Sequence, residues 1–175
     1  MSQPVPAALN VSRVSLRILR LLNWIYGALL LAGLIVTFTA AQFVMRAIGG
    51  AALAPDTEPL LRAMRGVLTL GLATIPLHFL MLTRLLQIVE SVRAGDPFVA
   101  GNAIRIQAIA WTLLCLQVIA LAVGAVVKSV STDARPFRVH AGFSTGAWLA
   151  IVLLFVLARV FTEGARMRDD LAATV

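Results

Sequence analysis

Residues Ala108 to Val127, AIAWTLLCLQVIALAVGAVV, form a run of 20 with no Asp, Glu, Lys, Arg or His. At 1.5 Å per residue such a run matches the roughly 30 Å hydrocarbon core of a bilayer. It reads as a transmembrane helix with Trp111 near its inner end. Outward from it, three more runs have the same character, at about 21–43, 66–86 and 141–158. Four spans in 175 residues leave no room for a separate extramembrane domain of ordinary size. The chain is therefore expected to be one four-span membrane domain, an all-α four-helix transmembrane bundle. Composition agrees. Apolar residues make up 60% and charged residues 13%, against roughly 45 to 50% and 25% in soluble domains. Mean hydropathy is +0.92, and a soluble enzyme is excluded.

The helix that holds the quoted run starts well before it. Gly95, Asp96 and Pro97 supply a helix-ending glycine, an N-cap carboxylate and a proline pre-set for a first helical turn. From Pro97 to Val127 the helix would be about 46 Å long, some 16 Å more than the bilayer core. Ahead of this corner the second span continues through Leu85, Leu86, Ile88, Val89 and Val92, with Glu90 and Arg93 spaced to pair at i,i+3. Residues 87–107 thus read as a cytoplasmic extension. Residues 159–172 read as a second one, carrying Arg159, Glu163, Arg166, Arg168, Asp169 and Asp170.

Pro76 lies inside the second span and frees the carbonyl of Leu72, which predicts a kink. Arg46 to Arg65 contains Gly49, Gly50, Pro55, Asp56 and Pro59 and reads as a non-helical connection. Lys128 to His140 reads as the second connection on that side. Met1 to Leu9 is a short lead. Residues 10–20 follow as an amphipathic helix on the inner membrane surface, with Arg13, Arg17 and Arg20 on one face. A cleaved signal peptide is the rival reading of the first span, from small Thr39, Ala40 and Ala41. The apolar run exceeds the roughly 7 to 15 residues of a signal core and argues against it.

Fifteen Lys and Arg against eight Asp and Glu give a net charge of +7. The cations are spread along every connection, as the positive-inside bias requires, so no direct nucleic-acid binding is expected. Arg13, Arg17, Arg20, Arg84, Arg93, Arg105, Arg159, Arg166 and Arg168 share one side of the four-span plan. Arg46, Arg62, Arg65, Lys128, Arg135 and Arg138 share the other. This bias places both termini in the cytoplasm. The lipid bilayer is the first expected partner, and arginine side chains at its edge suit snorkelling or contact with lipid phosphate. A lone Cys115 excludes a membrane dithiol oxidoreductase, which needs a cysteine pair. The segment around Arg84 echoes the segment around Arg159 at an offset of 75 residues. Both a two-helix duplication and the general habit of Arg at a cytoplasmic exit account for it.

Several residues are candidates for chemistry. His78 is the only histidine inside a span, and Gln117 lies at the middle of the third. An intramembrane ionisable group is a functional candidate by default. A neutral imidazole bonded to Gln117 would tie two helices together, whereas haem ligation lacks a second axial group. Gly142, Gly146 and Ala150 form a small face on the fourth helix, suited to packing within the chain, against Ala120 and Gly124, or to pairing with a second copy as a homo-oligomer. Phe98, Asn102 and Arg105 recur along the start of the third helix, and two readings of them stand. Phe98 packs under neighbouring helices while Asn102 bonds an exposed helix end, or the face docks a cytosolic partner. No phosphate loop, metal-ligand spacing, serine elbow or dinucleotide glycine pattern is present, so no enzyme activity, metal or cofactor is expected.

Gly95-Asp96-Pro97-Phe98-Val99-Ala100-Gly101-Asn102, followed by Arg105, Ile109 and Trp111, resembles the signature of the bacterial domain-of-unknown-function 2975 membrane family. Phe161 to Leu171 and the final Thr174-Val175 resemble that family's closing pattern. The chain departs from the pattern at Ala100, Gly101, Ala172 and Ala173. The resemblance implies a bacterial inner-membrane protein without an established activity, often encoded beside a small helix-turn-helix regulator. By that analogy the protein holds, senses for or modulates such a regulator. Asp96, Pro97, Phe98, Asn102, Arg105, Arg166 and Asp170 are its expected partner-binding residues. The alternative is a small transporter or ligand-sensing bundle with a polar mid-membrane site at His78 and Gln117.

Overall fold

The computed structural model describes residues 7–43, 57–95, 99–131 and 143–172. It is all-α, with no strand among the described residues. The helices are α1 (Ala7–Thr39), α2 (Thr57–Arg93), α3 (Ala100–Val130) and α4 (Thr145–Ala172). Each contains a stretch long and apolar enough to cross a membrane. Large apolar side chains stand exposed along them, Val14, Ile18, Leu29, Ile35 and Phe38 on α1 and Val152, Leu153, Val156 and Val160 on α4 among them. Water does not tolerate apolar faces of that extent, whereas lipid does. The chain is a multi-pass membrane protein, and these faces meet the bilayer.

In lipid every backbone polar group must find its partner inside the helix, and hydroxyls follow the same rule. Thr37, Thr74 and Ser91 donate to the carbonyl three residues back, and Thr83, Thr112 and Thr162 to the carbonyl four back. Ser144 caps α4, its hydroxyl accepting from the Ala147 N–H. Gly95 ends α2 at φ +86°, in the left-handed region a side chain would resist, and its N–H reaches the Val92 carbonyl.

The helices differ in places from the sequence expectation. Residues 10–20 and the first span form one uninterrupted helix, because nothing between Ala7 and Thr39 breaks it. Helix α2 begins at Thr57, so residues 57–65 are helical rather than part of a loop. Glu58 and Pro59 both belong in a first turn, the one favoured by the positive end of the helix and the other needing no N–H. Pro76 lies within α2, which continues on both sides of it. Helix α3 runs on to Val130. Gly49, Gly50, Pro55, Asp56 and His140 lie outside the described residues.

The chain gathers into two compact units. The first comprises Met1–Asn23, Pro76–Cys115 and Ser144–Val175, the second Trp24–Ile75 and Leu116–Phe143. In the second unit α1 and α2 lie antiparallel. Gly27 faces Ile75, Leu30 faces Gly71 and Gly33 faces Leu68. A Cβ on Gly27 would stand 3.2 Å from the Ile75 Cγ2, and one on Gly71 3.2 Å from the Leu30 Cδ1, so the two glycines set how closely the helices approach. In the first unit the core is formed by Leu82 of α2, Ala103, Ile106, Ile109 and Ala110 of α3, and Ile151, Ala158 and Ala165 of α4. The α4 contribution recurs every seven residues, the spacing of a helix seam packed against neighbours. Trp111 and Phe155 join α3 to α4 edge to face, with ring centroids 5.3 Å apart.

Candidate functional site

The first unit contains a polar corner where α2 ends and α3 begins. Asn102, in the first turn of α3, is 0% exposed. Its backbone N–H reaches the Val99 carbonyl at 2.8 Å, which starts the helix. Its side-chain Nδ2 donates to the Ser91 Oγ of α2 at 2.7 Å, and Ser91 in turn donates to the Ile88 carbonyl. Its Oδ1 accepts from the Arg105 Nη1 at 2.7 Å. One buried amide thereby joins the last turns of α2 to the first turns of α3 and fixes the orientation of a guanidinium.

Sequence reasoning offered two readings of Asn102, a bond to a helix end and a surface contact with a partner. The structure places its side chain inside, bonded to a residue near the end of α2, so the amide itself offers nothing to a partner. Arg105 is half-buried. Arg166 is exposed on α4, with Arg159, Glu163 and Arg168 also exposed there. Asp96, Pro97 and Phe98 lie outside the described residues, as does the side chain of Asp170.

A second polar cluster of this unit holds α1 to α2. The Arg13 Nε stands 3.6 Å from the Glu90 Oε1. Arg20 donates to the Thr83 hydroxyl and lies over the Phe79 ring, 4.6 Å from its centroid. Glu90 therefore pairs with α1 and not with Arg93, because the neighbouring helix brings a cation to its carboxylate. Arg17 is exposed. In the second unit Arg65 of α2 donates to the Thr37 carbonyl at 2.7 Å and covers the Phe38 ring at 4.2 Å. Thr37 is one of the last residues of α1, so Arg65 satisfies a carbonyl that the helix end leaves open. Thr37 is 0% exposed.

His78 is half-buried in the first unit, whereas Gln117 is buried and belongs to the second. Each has a partner. The small face of α4 is turned outward. Gly146 and Ala150 are exposed, and a Cβ on Gly146 would meet nothing within 4 Å. Within the first unit the buried residues of α4 are Ile151, Ala158 and Ala165. Gly142 lies outside the described residues. Cys115 is exposed on α3.

Sequence reasoning missed Ser91, Thr83 and Arg65. Ser91 stands one turn before Gly95 and faces a following helix that opens with an amide. That juxtaposition was the available signal. Arg65 had none, because its partner is a backbone carbonyl, which no sequence pattern marks.

Among the described residues no group of three or more His, Cys, Asp or Glu could hold a metal ion. The family model described as "Protein of unknown function (DUF2975)" matches residues 50–175. No curated protein and no solved structure matches the chain.

Proposed function

Because the chain belongs to the DUF2975 family, we propose that it is a non-enzymatic regulatory element of the bacterial inner membrane. It docks a cytosolic helix-turn-helix transcriptional regulator at the corner between α2 and α3 and along the end of α4. The observation that supports this reading is the fully buried Asn102, bonded at once to Ser91 and Arg105. A guanidinium held by an internal amide keeps a fixed direction and costs less entropy to bind than a free one. Arg105 and Arg166 are then the contacting residues, and Asn102 positions Arg105. All nine arginines that the positive-inside count assigns to the cytoplasm belong to the unit that contains this corner. Both termini are cytoplasmic on this reading.

The test is photo-crosslinking in native cells from a benzophenone amino acid replacing Arg166. The expected product is one crosslink to a small DNA-binding protein, abolished by Arg105→Ala with membrane insertion unchanged. A crosslink of equal yield in Arg105→Ala would overturn the docking role. Absence of any soluble product would also overturn the docking role.

A further inference from the structure

The amino-terminal part of α1 carries more positive charge than its packing against α2 neutralises. Arg13, Arg17 and Arg20 fall within two turns on one face. Arg13 has a carboxylate, Glu90. Arg20 has a hydroxyl and an aromatic ring, neither of which neutralises it. Arg17 is exposed, with no partner among the described residues. Three like charges at this spacing repel one another, and one carboxylate leaves a surplus of two.

This surplus is set in apolar surroundings. Val14, Ile18, Leu19, Leu21 and Leu22 are all exposed on the same stretch of helix. The apolar segment of α1 spans 29 residues, Val11–Thr39. A bilayer core takes about 20 residues, so roughly nine extend beyond it. The charges mark which end extends, because arginine at the centre of the membrane is costly. Residues 11–20 therefore lie at the level of the lipid head groups, where apolar side chains meet acyl chains and arginines meet phosphates.

We infer that Arg17, flanked by Arg13 and Arg20, holds the phosphate of an anionic phospholipid on the lipid-facing edge of α1. Arg17 supplies a planar fork of N–H donors, the geometry that suits a phosphate. Arg20 adds charge one turn deeper while it remains bound to Thr83 and Phe79. Arg13, neutralised by Glu90, completes the upper edge.

The experiment uses the full chain, equilibrated with vesicles of equal phosphatidylglycerol and phosphatidylcholine and extracted in mild detergent. Retained lipids are then counted by native mass spectrometry. Wild type is expected to keep phosphatidylglycerol in preference. Arg17→Gln is expected to lower that retention about fivefold, the effect of one interfacial cation, with helicity and melting unchanged. Arg17→Lys keeps most of it, and Arg159→Gln, which removes an exposed cation from α4, keeps all of it. Equal retention of the two lipids would overturn the site. So would an equal loss in Arg159→Gln, which signals diffuse charge, or displacement by millimolar inorganic phosphate, which signals a free-anion site. Capture of a soluble partner does not enter this measurement, so it stands or falls apart from the proposed function.

Discussion

Asn102→Ala removes a donor from the half-buried Ser91 hydroxyl and an acceptor from the half-buried Arg105 guanidinium. The expected loss is about 1 to 3 kcal/mol, the net worth of two hydrogen bonds. It reads out as a lower unfolding midpoint in detergent micelles. Ser91→Ala tests the same link from the other side. A double-mutant cycle between the two should give a coupling of about 0.5 to 1.5 kcal/mol, the net worth of one hydrogen bond. Zero coupling would mean that the contact adds nothing. Arg65 bears a comparable load at the carboxyl end of α1. Arg65→Gln should cost about 1 to 3 kcal/mol, since a charge-assisted bond to a helix carbonyl and a cation–π contact are lost together. Arg62→Gln, on an exposed cation one turn earlier, should stay within about 0.5 kcal/mol in the same melting assay.

At the scale of the element, the two glycines between α1 and α2 and the outward glycine of α4 separate packing from mere smallness. Gly27→Leu forces a side chain into the Ile75 Cγ2 and should destabilise by about 1 to 3 kcal/mol, the range for overpacking. Gly146→Leu meets open space and should be silent in the monomer to within about 0.5 kcal/mol. If Gly146→Leu instead breaks an oligomer seen by crosslinking, the small face joins copies of the chain. The same helices show how far the sequence could be read. Four apolar runs gave the four helices, because hydrophobicity over some 20 residues is a strong signal. The start of α2 was hidden, since Pro55 and Pro59 read as breakers although a proline also fits a first turn. The small face of α4 was legible as a stripe, but a periodic pattern does not say which stripe turns inward. Asn102 was legible as a polar residue at a helix start, and its burial was not, because burial depends on where α2 places Ser91.

On the proposed topology, the four helices among the described residues that are long and apolar enough to cross a membrane place both termini on one side. With nine arginines on that side against six cations on the other, a fusion of green fluorescent protein after Val175 should fluoresce. Alkaline phosphatase at the same point should be inactive. The reverse pair of signals would invert the orientation and remove the proposed docking surface from the cytosol. Every helix is longer than the bilayer core requires, from 28 residues in α4 to 37 in α2. Protection from protease in vesicles should therefore stop short of the helix ends and leave fragments near 20 residues long.

Cys115 is the chain's sole thiol, and it stands exposed on the longest uncharged run of α3. A nitroxide attached there would need no engineered cysteine and no removal of competing ones. Its collision rate with dissolved oxygen, which concentrates in acyl chains, set against that with a water-soluble nickel chelate, would measure immersion depth directly. The native sequence thus contains its own depth gauge for the third span.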